Sequence, residues 1–263
     1  MHPVALKIGN FTIYFYGLMM VVAYIVVLLV MKSTRQIEKF DMDTALDCSI
    51  YAIIGGVIGS RLLYVFLNFK DYLEKPLQIL NVREGGLSWH GALIGGFIAL
   101  LMLAAKKKMP VWKLSDFTSV HVTVALAIGR IGCFLNGCCY GKLTDCPLGV
   151  EFKSAHIEGL RHPTQLYESA LLIVTFFILL WWWKRKKFDG EMTLAMFGTY
   201  GVIRLIVEFF RYNTPDQYPG ASPLSLAQLF SILLILGCTA AIIYFRKKTP
   251  QKTETTNEKE VQA

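Results

Sequence analysis

Three arginines sit inside long apolar stretches of this chain: Arg61 in YAIIGGVIGSRLLYVF, Arg130 in VTVALAIGRIGCFLNG and Arg204 in MFGTYGVIRLIVEFFR. An arginine near the centre of a membrane span costs about 2.5–3.5 kcal/mol on insertion scales, so three together rival the stability of a whole domain. Something anionic has to offset that cost, either partner carboxylates or a ligand such as a lipid phosphate. Guanidinium suits phosphate because its planar fork donates two parallel hydrogen bonds to an oxyanion. Around the third arginine, Tyr200, Arg204, Glu208 and Arg211 follow at i, i+4, i+8 and i+11. On a helix they cover a stripe about 80° wide. Two readings of that stripe stand side by side. It is an ion-pair ladder pinning the helix to its neighbours, or Glu208 orients one arginine while another stays free for phosphate.

His90 opens WHGALIGG. Its neutral imidazole can accept a proton near physiological pH, which makes it the best general-base candidate; an interfacial polar residue is the plainer reading. His121 has apolar neighbours and reads as structural. Gly129, Gly132 and Gly137 around Arg130 fit close helix approach and equally fit access of a headgroup to backbone N–H groups. In RHPTQLYES, Pro163 and Thr164 mark a helix start, and Gln165, Tyr167 and Glu168 are left without a local role.

The elements that must position these groups are membrane spans. The chain has 263 residues, is 54% hydrophobic and has a mean hydropathy of +0.45, too apolar for a soluble domain of this size. Seven stretches are long enough to cross a bilayer, near 13–31, 46–67, 88–105, 117–136, 168–183, 191–210 and 224–245. The fold class is therefore all-α integral membrane protein with seven transmembrane helices. Of the 27 lysines and arginines, sixteen fall in one set of alternating connections, eight in the other and three in spans. The positive-inside rule then puts the N-terminus outside and the C-terminus in the cytoplasm. Most of the +8 net charge is this bias, which argues against nucleic-acid binding. No cleavable signal peptide is visible; the first span reads as an uncleaved anchor with its positive charges after it. Residues 1–245 form one membrane domain with outer-face loops at 68–87 and 137–167. Residues 246–263 are a polar cytoplasmic tail expected to be disordered.

With that topology, Arg130 lies about 9 Å below the outer end of its span. Arg204 has the same depth, and Arg61, His90 and Tyr16 also fall at outer ends. Independent segments thus converge on one leaflet. Of six cysteines, Cys133, Cys138, Cys139 and Cys146 cluster in GCFLNGCCYGKLTDC. No CxxC pair is present, so no metal site is assigned; a disulfide among Cys138, Cys139 and Cys146 stays open.

Taken in order, YGLMM after Tyr16, WHGALIGG with His90, GRIGCFLNGCCYG around Arg130 and ending at Gly141, HPTQLYE from His162, and YGVIRLIVEFFR from Tyr200 resemble the prolipoprotein diacylglyceryl transferases of bacterial inner membranes. The resemblance covers about Tyr14 to Leu226. It implies transfer of the diacylglyceryl group of phosphatidylglycerol to the lipobox cysteine of prolipoprotein signal peptides, with release of glycerol phosphate and no cofactor. It implies catalytic roles for His90, Arg130, Arg204 and Tyr16. Arg130, Arg204, Glu208, Arg211, Tyr200 and Gly141 would bind the phospholipid, and Arg61, read from its insertion cost, would join them in the wall of that site. It further implies a multi-pass protein of the bacterial cytoplasmic membrane, in contact with bilayer lipid, its active site toward the outer leaflet. The chain departs from the family pattern at Cys133, usually Asn, at Cys138, usually Glu, and at Ala92, usually Gly. A paralogue that binds anionic phospholipid with altered or no activity is therefore one alternative. An anion or lipid transporter, or a thiol oxidoreductase built on Cys138 and Cys139, are others.

Overall fold

A computed structural model describes residues 4–9, 11–73, 76–81, 85–152, 158–212 and 223–249. Seven helices in it are long and apolar enough to cross a membrane, and each coincides with a span read from the sequence. They are α1 (Phe15–Thr34), α2 (Met42–Leu67), α4 (Trp89–Lys107), α5 (Val111–Asn136), α6 (Thr164–Trp183), α7 (Glu191–Phe210) and α8 (Leu226–Lys248). A one-turn helix, α3 (Phe69–Leu73), lies between α2 and α4.

The starts follow local chemistry. The Asp41 carboxylate accepts from Thr44 N at 2.8 Å and begins α2 four residues ahead of the apolar run. Pro110 and Pro163 immediately precede α5 and α6. Ser225 and Gln228 form a reciprocal capping box at the head of α8. A short antiparallel hairpin, β1 (Val4–Ile8) and β2 (Phe11–Tyr14), leads directly into α1, an element that the hydrophobic pattern does not announce. The tail shortens too: α8 runs to Lys248, three residues into the expected polar segment, and residues 250–263 lie outside the described residues.

Helix α5 is the hub, packed against α1, α6 and α7, while α8 packs on α7. Helices α2 and α4 form a tight hairpin of their own. Glycines make it so: a Cβ at Gly59 would fall on the Gly91 carbonyl oxygen, and one at Gly95 on that of Gly55. Only hydrogen at these positions lets the backbones meet.

The lysine-rich end of the bundle holds the largest apolar cluster, with Phe117, Trp183, Leu114, Leu179 and Met192 buried. Buried charge crosslinks it. Lys186 Nζ reaches Glu38 at 2.5 Å, Asp116 at 3.1 Å and Asp189 at 3.0 Å, and Trp183 Nε1 donates to Glu38 at 2.6 Å. Burial works against the Lys186 charge, but the bonds to Glu38 and Asp189 and the field of Asp116 outweigh it and hold the ammonium above the ordinary lysine range. Arg246 of α8 pairs with the buried Glu191 at the head of α7. His121 Nδ1 donates to Phe117 O (2.6 Å) and its Nε2 hydrogen-bonds with Thr34 Oγ1 (2.8 Å), the structural role expected of it. Large apolar side chains such as Leu29, Leu62, Phe66, Phe177 and Leu233 stay exposed on the bundle's flanks, as a lipid-facing surface requires.

Candidate active site

The opposite end of the bundle collects the remaining buried charge. Arg130 projects from α5, and its Nη2 lies 2.9 Å from Glu168 Oε1 on α6. Tyr200 on α7 donates to the same Glu168 oxygen at 3.4 Å. One turn further, Arg204 Nη2 meets Glu208 Oε2 at 2.7 Å, and Glu208 Oε1 accepts from the Ser225 hydroxyl at 3.1 Å. Tyr200, through its bond to Glu168, ties α7 to the Arg130–Glu168 pair. The carboxylates are nearly sealed, at 3% and 2% side-chain exposure, whereas Arg130 and Arg204 keep 22% and 19%. Each guanidinium carries five donors. Among the described residues each makes a single carboxylate contact, which leaves donors that can turn toward an anion from the accessible side.

This geometry joins the two readings of the α7 stripe. Glu208 does orient Arg204, as the i, i+4 spacing allows. Arg130, outside that stripe, has a carboxylate of its own, Glu168, on a neighbouring helix. Glu168 is the residue that sequence reasoning passed over as a site member. Its signal was present, since a carboxylate one turn into a span asks for a cation.

Arg211 follows the end of α7 and is fixed through its backbone. It bridges Gly141, and Lys142 N donates to Phe210 O at 2.9 Å. Gly141 N in turn donates to His162 O at 2.8 Å. A Cβ at Gly141 would fall on the Phe210 carbonyl oxygen, so this crossing requires glycine. Nearby, Arg161 is buried between the rings of Tyr140 and Tyr212, each 5.3 Å from its guanidinium carbon. Tyr16, 44% exposed in the first turn of α1, packs on Gly132, where an added Cβ would come 3.4 Å from its ring. The Gly132 site is thus a helix contact and Gly137 is the helix cap, while Gly129 faces open space.

Two expected site residues make none of these contacts. Arg61 spends its donors on backbone carbonyls: Nε to Ile79 (2.8 Å), Nη2 to Gln78 (2.5 Å), and Nη1 to Gly85 (3.0 Å) and Gly86 (2.9 Å). Its guanidinium also lies over the rings of Tyr64 and Tyr72. The loop after α2 therefore supplies the compensation that a ligand was expected to give. His90 is exposed in the first turn of α4, on the glycine-packed hairpin, and among the described residues it makes no hydrogen bond or ion pair. All six cysteines are free, so the disulfide left open by the sequence is not formed.

Two partly open arginines with separate buried carboxylates thus sit at one end of a seven-helix bundle. A family model for prolipoprotein diacylglyceryl transferase matches residues 3–244. The chain belongs to the prolipoprotein diacylglyceryl transferase family. A phosphatidylglycerol–prolipoprotein diacylglyceryl transferase of Geobacter sulfurreducens is 36% identical over 254 residues, covering 94% of this chain and 96% of the relative. One from Bordetella bronchiseptica is 36% identical over 261 residues, covering 95% and 97%. One from Clostridium tetani is 34% identical over 239 residues, covering 90% and 94%. Family membership and the seven spans together make this a multi-pass membrane protein.

Proposed function

We propose that this protein transfers the diacylglyceryl group of phosphatidylglycerol to the thiol of a prolipoprotein's lipobox cysteine, in the bacterial cytoplasmic membrane and from the outer leaflet. Its relatives are named phosphatidylglycerol–prolipoprotein diacylglyceryl transferases. The observation that carries the reading is the pair of partly open arginines, Arg130 and Arg204, each held by a buried carboxylate, with Tyr200 on the Arg130 partner Glu168. The peptide sulfur attacks the glycerol carbon that bears the phosphate. An S–C bond forms, the C–O bond to phosphorus breaks, and glycerol phosphate departs with the electron pair. Negative charge collects on the leaving phosphate in a low-dielectric setting, where preorganised cations count most. Arg130 and Arg204 meet it there, with Arg211 and Tyr16 at the margin. His90, whose imidazole is exposed and has no competing partner among the described residues, accepts the thiol proton.

The test is glycerol-phosphate release by purified protein given phosphatidylglycerol and a lipobox peptide. Release that disappears when the peptide cysteine is replaced by serine is the expected result. Arg130→Ala and Arg204→Ala should each lower turnover by about 10²-fold or more while the protein stays folded. Normal turnover in either variant would remove that arginine from the chemistry.

A further inference from the structure

The last turn of α5 does something that the spacing C-x4-C-C does not reveal by itself. Gly137, at φ 77°, ends the helix in a Schellman motif: Cys138 N donates to Cys133 O at 3.2 Å and Gly137 N to Phe134 O at 3.1 Å. That motif commonly brings together the side chains on either side of the cap, here the thiols of Cys133 and Cys138. The chain then turns back at once through Cys139, a non-glycine residue at φ 64°. Two side chains from the first turn of α6 hold the turn by its carbonyls. Gln165 Nε2 donates to Cys138 O at 2.6 Å and Thr164 Oγ1 to Cys139 O at 2.8 Å. As a result the three sulfurs all lie within 4.8 Å of one another.

We propose that Cys133, Cys138 and Cys139 form a three-thiolate site for a thiophilic divalent ion such as Zn2+. Zn–S bonds of about 2.3 Å in a tetrahedron separate sulfurs by about 3.8 Å, so closure needs side-chain movement of about 1 Å and none of the backbone. Three protons leave to solvent as three metal–sulfur bonds form, and nothing is oxidised. Three thiolates and a divalent ion carry one net negative charge, and Arg130 and Arg211 lie within electrostatic reach of Cys139 to balance it. A water completes the fourth position. Gln165, 1% exposed, offers an acceptor for it, because its amide oxygen has no partner among the described residues while its nitrogen is held on Cys138.

The site is tested on the full chain in detergent, reduced and then desalted, with Cd2+ as the probe. One Cd2+ per chain, read as thiolate-to-cadmium charge transfer in the ultraviolet and displaced by Zn2+, is expected. Cys133→Ser and Cys138→Ser should each weaken binding by at least about tenfold, and Cys48→Ser and Cys146→Ser should leave it unchanged. Cys139→Gly guards against misfolding, since glycine suits the positive φ there; it should fold at least as well as the parent and still lose the ion. Absence of stoichiometric binding, or binding that survives in Cys133→Ser, Cys138→Ser and Cys139→Gly alike, overturns the assignment. So does protein that titrates as four free thiols before reduction, which would place a disulfide where the metal should be.

Discussion

An arginine neutralised by one buried carboxylate responds asymmetrically to mutation. Glu168→Gln keeps the shape of the site but leaves Arg130 without its counter-charge, which should cost about 3–5 kcal/mol. Replacing both members of the pair with apolar residues of similar volume should cost far less, and thermal unfolding in detergent separates the two outcomes. A larger loss in the double variant than in Glu168→Gln would contradict the pairing. Chemistry makes a different demand of the same groups. Arg204→Lys preserves charge and forfeits the planar fork, so the rate should fall by about 10²-fold with little change in stability. Glycerol-phosphate release measures the first quantity and melting the second. At this scale the sequence exposed the cost of each arginine and the Arg204–Glu208 spacing, because i, i+4 neighbours are set by the helix itself. It did not expose Glu168 as the partner of Arg130, since the register of α5 against α6 is a tertiary fact. Nor could it foretell that Arg61 finds four carbonyls in a loop, for backbone acceptors leave no mark in residue type.

Among the elements, the α2–α4 hairpin offers the sharpest contrast between neighbouring glycines. Alanine in place of a mid-helix glycine gains about 1 kcal/mol of helix propensity wherever there is room. Gly56 has room, since its Cβ would rest 3.6 Å from the Ala92 oxygen, and Gly56→Ala should be neutral or stabilising. Gly59 has none, because its Cβ would also come within 2.6 Å of Gly95 Cα, so Gly59→Ala should push the helices apart and lower the melting temperature. Similar melting temperatures for the two variants would show that the hairpin is looser than drawn. Span number was legible because each run of apolar residues is longer than any soluble helix needs. Starts were less so. Helix α5 begins at Val111, six residues before the apolar run suggested, because Lys113 and Asp116 interrupt the pattern. Asp116 is nonetheless buried, accepting from Gly190 N, Thr193 N and Lys186.

The whole bundle is tied at both ends by charge, and the two ends should answer to different experiments. At the lysine-rich end Lys186 has its pKa raised on folding, so its contribution to stability is complete below the ordinary lysine value of about 10.4 and fades as pH rises through the higher folded value. Lys186→Arg stays charged throughout. Melting curves of parent and variant should run parallel near neutrality and diverge above about pH 10.4, the parent falling further. Parallel curves to the alkaline limit would show that Glu38 and Asp116 do not depend on that ammonium. At the site end, the two arginine pairs differ in how far apart along the chain their members lie. Glu208 follows Arg204 by a single turn, whereas Glu168 comes 38 residues after Arg130, on the next span. A ribosome delivers the chain in order. Helix α7 therefore enters the bilayer already neutralised, but α5 must wait with an uncompensated charge until α6 has been synthesised. Nascent chains truncated at the end of α5 and extended by a common linker should leave that span poorly inserted, and chains extended in the same way after α6 should hold it firmly, a difference that a glycosylation tag directly after α5 would read. Replacing Glu168 in the longer chain should return α5 to its hesitant state, making that carboxylate a timing element of biogenesis as well as a partner in the finished site.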